Sequence, residues 1–258
     1  ICPIKLEKYL ILNTKKNKGI TINKKTKRPI KAILILYTFG HPPKILKIMD
    51  IAKKFNLLVV EDAAEALGTF YNKKHAGTFG EIGILSFNGN KIITTGGGGA
   101  ILTKSSKVAE KVKKLINNGK KNHKWKFIFE TRGFNYRLPS INASLGISQL
   151  KNLNKLIEKN RKLFLIYKNF FSNFKSMNLF NEPNLSRSNY WLQTLLLDKK
   201  ISKIRNKLII NMIKLGIEAR APWQLLSETK MYKNCPKMNL KISKRMYERI
   251  INLPSRFI

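Results

Sequence analysis

Acidic residues are scarce in this chain: 14 Asp and Glu stand against 51 Lys and Arg in 258 residues, a formal net charge of +37. Cysteine is scarcer still. Only Cys2 and Cys235 occur, with no CxxC pair and just three histidines (His41, His75, His123), which excludes a disulfide scaffold and a structural zinc site and points to a reducing, cytoplasmic compartment. No metal site is expected. Long apolar runs are missing too: no segment approaches the ~20 uncharged residues of a membrane span, and the opening ICPIKLEKYLILN carries lysines where a signal peptide keeps its apolar region. The first residue is Ile rather than Met, so an upstream segment, missing or removed, is expected. Core-forming material is plentiful. With 43% hydrophobic and 10% aromatic residues the chain is no disordered basic tail, and chains of this size bury about 70–75% of their unfolded surface, enough for one large domain and a smaller one.

A charge of +37 ordinarily points to nucleic acid, because lysines that neutralise phosphates release counterions. Here the basic residues are spread over nearly every segment and form neither a single arm nor an aromatic-lined groove. Solvated faces are the expectation, with no specific nucleic-acid partner. The few acids are more informative: Glu61, Asp62 and Glu65 fall within five residues, where an even spread would place about 0.3. Eight of the fifteen glycines lie between Gly77 and Gly99. Residues 61–99 are therefore the informative region.

Ala32–Thr38, a helical pattern through Ile45, Ile48, Met49, Ile51 and Ala52, and Leu57–Val60 predict strand, helix, strand. Continuous apolar strands of this kind belong in a parallel sheet covered by helices. Ile82–Phe87 and Ala100–Thr103 read as two more strands, residues 106–117 as an amphipathic helix, and 120–138 as a basic, aromatic loop. From Ser140 to about Phe174 the apolar spacing predicts one long helix or two nearly collinear ones. The Pro-, Ser- and Asn-containing stretch Asn178–Asn189 is the best domain boundary. Beyond it a strand (Tyr190–Leu197), a helix (Ile201–Leu215), a short strand (Ile217–Ala219) and a helix near 240–251 fit a small α+β domain.

Asp62 follows directly on the strand Leu57–Val60, at the carboxyl edge where open α/β sheets bind ligands. It serves equally well as an N-cap for a helical turn AAEAL. Lys91 lies between a buried strand and Gly96–Gly99, which feed a strand instead of opening a helix as Rossmann and P-loop glycines do. A carboxylate and an amine on one sheet edge are what pyridoxal phosphate requires. Trp191, Tyr190, Phe164 and Phe171 are at spacings typical of core aromatics, and His41 and His75 read as loop or core residues.

The run VVEDAAEALGTFYNKKHAGTFGEIGILSFNGNKIITTGGGGAIL closely resembles the sugar-nucleotide aminotransferases of the DegT/StrS type, fold-type I pyridoxal-phosphate enzymes. The likeness continues through Gly133–Arg137, SINASLGISQL, SNYWLQTLLLD and GIEARAPW to INLPS. It implies an α/β fold: a large domain with a mixed, mostly parallel sheet, incomplete here, plus a small C-terminal α+β domain, divided as 1–139, a connecting helix 140–177, and 178–258. By the same resemblance Lys91 forms the imine with pyridoxal 5'-phosphate, Asp62 pairs with the pyridine nitrogen, and Ser86 donates to the phosphate. Glu65 lies beside the phenolic oxygen, where it must be protonated or repel that anion. Asn135 reaches the cofactor phosphate of a neighbouring subunit, which implies a homodimer with a shared active site. Arg220 is a candidate for the substrate diphosphate or the donor carboxylate, or else a surface residue. The form SFNGNKIITTGGGG is most similar to the branch that aminates C4 of UDP-linked 4-keto-6-deoxy-N-acetyl sugars in bacillosamine or legionaminic acid pathways, with glutamate as donor. Related enzymes with His in place of the lysine are dehydratases. A preceding segment carrying the phosphate cup and the aromatic residue that stacks on the cofactor has no counterpart here. The alternatives are an inactive remnant of such an enzyme, or a basic nucleic-acid binder.

Scattered lysines should bind a random-sequence DNA duplex only weakly and without sequence preference, and titration at rising salt should abolish it. Tight binding that persists at several hundred millimolar salt would overturn this expectation.

Overall fold

The computed structural model describes residues 1–255. Helix α1 (Pro3–Asn13) leads into a small antiparallel sheet of β1 (Thr14–Asn17), β2 (Ile20–Asn23) and β3 (Pro29–Ile30). Then come β4 (Ala32–Leu36), α2 (Ile45–Lys54), β5 (Leu58–Asp62), a short hairpin β6 (Phe70–Tyr71) and β7 (Lys74–His75), β8 (Ile82–Ser86) and β9 (Gly99–Leu102). The central sheet has the order β4-β5-β8-β9; β4, β5 and β8 are parallel and β9 is antiparallel to β8. Leu36 is opposite Asp62, and Asp62 opposite Ile84, so the carboxyl ends of the three parallel strands form one edge.

Helix α2 forms because Ile45, Ile48, Ile51 and Ala52 share one face, and Lys53 and Lys54 complement the negative end of its dipole. That face packs with Leu10 of α1 on Ile33, Ile35 and Val59. The run AILILYT was expected to be covered on both sides. Instead the strands alternate, and Leu34, Leu36, Leu58 and Ile101 are exposed, because α1 and α2 pack against the opposite face.

Helix α3 (Ser106–Ile116) is N-capped by Ser105, whose hydroxyl accepts the Val108 N–H at 3.3 Å. The basic, aromatic stretch that follows holds only the two-residue strands β10 (Lys120–Lys121) and β11 (Ile128–Phe129). Of the two forms the apolar spacing allowed, the chain takes two helices, α4 (Ser140–Lys151) and α5 (Leu153–Phe171), broken at Asn152. Phe164 of α5 enters a second core with Leu179, Leu195, Leu197, Ile209, Ile251 and Leu253. That core lies under the antiparallel sheet of β12 (Met177–Leu179), β14 (Gln193–Leu197) and β15 (Ile250–Leu253) and helix α6 (Arg205–Lys214). Two sequence expectations fail here. The helix near 240–251 is only α7 (Lys241–Tyr247), since Ile250–Leu253 is claimed by pairing with β14. Ile217–Ala219 is not a strand; the contact with β15 is a single bridge between Arg220 and Asn252.

The polar stretch Asn178–Asn189 is not an open linker. Its strand β13 (Ser186–Arg187) pairs with β6, and Ser188 and Asn189 are fully buried. Asn189 donates through Nδ2 to the carbonyls of Glu65 and Leu67, both at 2.9 Å. Gly40 makes room for it: a Cβ there would come within 2.0 Å of Asn189 Oδ1. Arg161 of α5 closes the stretch with two bonds to the Glu182 carboxylate, at 2.8 and 2.9 Å, and one to the Ser188 carbonyl at 2.9 Å.

Glu61 is fully buried and accepts from the Tyr37 hydroxyl (2.5 Å) and the backbone N–H groups of Gly77 (2.9 Å), Phe79 (2.7 Å) and Gly80 (2.6 Å). Burial and the neighbouring carboxylate push the Tyr37 phenol well above its ordinary pKa, which keeps it a donor. Replacing Glu61 with Leu strands these donors at about 1–3 kcal/mol each. Urea unfolding should show a loss of at least about 3 kcal/mol for Glu61→Leu and a clearly smaller one for Glu61→Gln, which retains one acceptor oxygen.

Candidate active site

Asp62 ends β5 and Ser86 ends β8, on the common edge of the parallel strands. The N-cap alternative for Asp62 falls away. Residues 63–69 form turns, not a helix, and Asp62 Oδ1 accepts the Ala64 N–H at 3.2 Å within a local turn. Three residues on, Glu65 is buried and its Oε2 accepts the Phe39 N–H at 2.7 Å. Burial raises the Glu65 pKa above the ordinary carboxylate value, with the Asp62 charge adding to the rise; the Phe39 bond and the Lys91 charge oppose it. Glu65 is thereby biased toward its protonated form, one of the two alternatives its sequence position left open.

Lys91 follows β8 in the loop 87–98. Its N–H donates to the Asn88 carbonyl at 3.0 Å, and the loop closes through Thr95 N–H to Phe87 O and Phe87 N–H to Gly98 O, both at 3.0 Å. Gly96 and Gly98 take positive φ values of 79° and 90°, and a Cβ on Gly99 would meet the Leu85 carbonyl at 2.3 Å. The glycine run thus serves the return into β9. Helix α4 fastens the loop from outside: Gln149 Oε1 accepts the Thr94 N–H at 2.9 Å, and Asn142 Nδ2 donates to the Thr95 carbonyl. Burial lowers the Lys91 pKa, against the opposing charges of Glu65 and Asp62. Lysine and the two carboxyls therefore share one electrostatic environment.

Trp191 is buried, as expected of a core aromatic, but the site also uses it. Its indole N–H donates to the Asn90 carbonyl at 2.7 Å, and Lys91 Nζ lies 4.1 Å from its ring centroid. Trp191 stacks on Trp223, the last residue of GIEARAPW, to which the sequence pattern assigned no role of its own. Lys91, Trp191, Trp223 and Arg220 line one cleft of about 1470 Å³ with residues of α4 and α5. Asp62, Ser86 and Glu65 lie outside that lining. Ser86 Oγ accepts the Asn88 N–H at 3.3 Å. Asn135 is exposed and bridges to Asn117, remote in the chain from the sheet edge. Phe164 and Tyr190 stack at 4.3 Å in the second core. His41 is buried with Nδ1 2.9 Å from Ser188 Oγ, and His75 Nε2 accepts the Gly68 N–H at 2.8 Å, so both serve loop packing.

A family model described as the DegT/DnrJ/EryC1/StrS aminotransferase family matches residues 7–257. The chain belongs to that family. Among its curated relatives are EpsN of Bacillus subtilis, named as a pyridoxal phosphate-dependent aminotransferase, 37% identical over 76% of this chain and 50% of its own length, and the GDP-perosamine synthase of Vibrio cholerae, 32% identical over 91% and 62%. The solved structure of Helicobacter pylori PseC, an aminotransferase of pseudaminic acid biosynthesis, superposes with a TM-score of 0.83 at 27% identity, over 88% of this chain and 62% of that one. The DegT DnrJ EryC1 StrS aminotransferase of Brucella abortus shares the fold, with a TM-score of 0.86 at 22% identity over 99% and 65%. The chain spans about half to three-fifths of the length of the curated relatives it matches. Fold-type I α/β architecture with a mixed sheet follows from these likenesses. The donor set fits the family cofactor: an amine whose pKa burial lowers, a carboxyl group at the end of β5 to offer a pyridine nitrogen, and a second, buried carboxyl with a raised pKa to offer a phenolic oxygen.

The raised pKa of Glu65 has a sign that can be checked. Between the ordinary and the folded value the folded chain binds more protons than the unfolded one, so its stability falls as pH rises through that window. Urea midpoints across acid pH should show this decline in the wild type and not in Glu65→Gln, which retains an acceptor for Phe39 N–H. Glu65→Ala should cost about 1–3 kcal/mol.

Proposed function

We propose that this chain carries out pyridoxal phosphate-dependent transamination of the C4 ketone of a UDP-linked 4-keto-6-deoxy-N-acetylaminosugar, with glutamate as amino donor, for cell-surface glycan biosynthesis. The observation that carries the reading is Lys91, whose amine burial biases toward the neutral form, placed after β8 in the electrostatic reach of Asp62 and Glu65. When bound, pyridoxal phosphate supplies an aldehyde for the amino nitrogen and a protonated ring that takes up the electron pair left by proton removal. The chain's own residues do the rest. Lys91 Nζ, neutral once released, takes the proton from the donor carbon and returns one to the sugar carbon. Asp62 holds the proton on the pyridine nitrogen through opposite charge. Glu65, protonated, donates toward the phenolic oxygen, and Ser86 donates toward the phosphate. Arg220, on the cleft wall, is suited to bidentate binding of a diphosphate or a carboxylate.

The sugar class is supported by relatives named as UDP-4-amino-4,6-dideoxy-N-acetyl-β-L-altrosamine transaminases, such as that of Campylobacter jejuni, 27% identical over 89% of this chain and 62% of its own length. The higher identity to GDP-perosamine synthase favours a GDP-linked keto sugar as the second reading. A second copy of the chain is the proposed partner, with Asn135 reaching across. It lies among the exposed rings of Trp125, Phe127, Phe129, Phe134 and Tyr136, surface that a dimer would cover. The exposed, unpaired Cys2 and Cys235 suit a reducing cytoplasm, and no described helix is long and apolar enough to cross a membrane. The domain limits 139 and 177 are part of the same proposal.

Added pyridoxal phosphate should produce an absorbance band near the visible that Lys91→Ala lacks; a wild-type chain that stays colourless sinks the reading. With UDP- and GDP-linked keto sugars offered side by side, Asp62→Asn should lose turnover by orders of magnitude while still binding the cofactor. Near-normal turnover would remove Asp62 from the mechanism.

A further inference from the structure

We propose that Trp191 is a positioning residue for the amine of Lys91. What the amine then does rests on the aminotransferase reading; its placement is a property of this chain alone. The indole N–H holds the Asn90 carbonyl at 2.7 Å, fixing the residue just before the lysine, while the face of the same ring lies 4.1 Å from Lys91 Nζ. An indole offers both contacts at once. A phenyl ring has the face without the N–H, and an aliphatic side chain has neither.

The ring is itself held. Trp191 is 5% exposed, and Trp223 stacks on it at 6.1 Å with 5° between the planes. Trp223 stacks in turn on Phe39 at 5.9 Å, and the Phe39 N–H binds the Glu65 carboxyl at 2.7 Å. One run of rings therefore links the lysine to the backbone group that holds a carboxyl acting on it. Trp191 lies two residues before β14 and Trp223 three residues after Arg220, which bridges to Asn252 of β15, whereas Phe39, Glu65 and Lys91 lie in the segments that join the strands of the central sheet.

Two effects of the ring on the amine oppose each other. Its face attracts the ammonium form, while its bulk keeps water away and favours the neutral form. Burial is the largest influence on Lys91 and lowers its pKa; in this proposal the ring's share in that burial outweighs its attraction for the ammonium.

The test is pH-dependent competitive labelling of the cofactor-free protein with acetic anhydride, with Lys91 read by peptide mass spectrometry against exposed lysines. Wild-type Lys91 should titrate below them. Trp191→Leu should move its midpoint up toward them by about one pH unit. Trp191→Phe should retain the wild-type midpoint but quicken amide exchange across residues 89–92 by about tenfold. Trp223→Leu, at a position 57% exposed and so tolerant of change, should move the midpoint in the same direction by less. An unmoved midpoint in a Trp191→Leu protein that melts as cooperatively as the wild type overturns the proposal. If that variant does not fold, unchanged exchange in Trp191→Phe together with an unmoved midpoint in Trp223→Leu overturns it equally. Failure of the aminotransferase reading would show separately, as absence of the absorbance band with the labelling result intact.

Discussion

Everything at the sheet edge depends on how the buried carboxylate of Glu61 is satisfied. Strand alternation turns Val59 and Glu61 to the covered face of β5 and Val60 and Asp62 to the other. A charge in that position is tolerable only with a full set of donors, and the chain supplies them from Tyr37 at the end of β4 and from the turn at 77–80. Meeting that need fixes the turn that leads into β8 and the end of β5. Asp62 is placed by its chain neighbour Glu61, which takes no part in the chemistry proposed, and Glu65 by Phe39 and Asn189.

The second constraint is the attachment of the lysine loop. A twelve-residue excursion between antiparallel strands, rich in glycine, has little of its own to hold it. It is held from three directions: by its own turn bonds, by Gln149 and Asn142 of α4, and by Trp191 from beside β14. The segment 178–192 is therefore a joint between the two core regions, and its polar composition is what equips it for the role. Asn189 and Glu182 satisfy loop backbone groups, the carbonyls of Glu65 and Leu67 and the N–H of Ser188.

These arrangements differ in how legible they were. The strand–helix–strand succession from Ala32 to Asp62 could be read because its signal is local: a continuous apolar run, then a 3.6-residue stripe, then a second run. Asp62, Ser86 and Lys91 could be read from the likeness of one unbroken motif. Glu61 was visible only as part of an acidic cluster, since nothing in the sequence says which of three neighbouring carboxylates turns inward. Trp191 was read as core because a buried indole and an indole that also serves a loop have the same spacing. The strand Ile250–Leu253 was taken for the end of a helix, since four apolar residues fit either period and only pairing with β14 decides.

The sequence by itself determined the fold class and the family, and supplied the amine and carboxyl groups proposed for the site, because each is written in consecutive residues or in a motif of fixed spacing. Tertiary structure alone decided which sheet face is covered, the protonation bias of Glu65 and Lys91, and the placement of Trp191, Trp223 and Arg220 along one cleft. Those properties arise from burial and from contacts between residues about a hundred positions or more apart, such as Asn90 with Trp191 and Glu65 with Asn189. Desolvation and long-range packing leave no pattern in the order of residues.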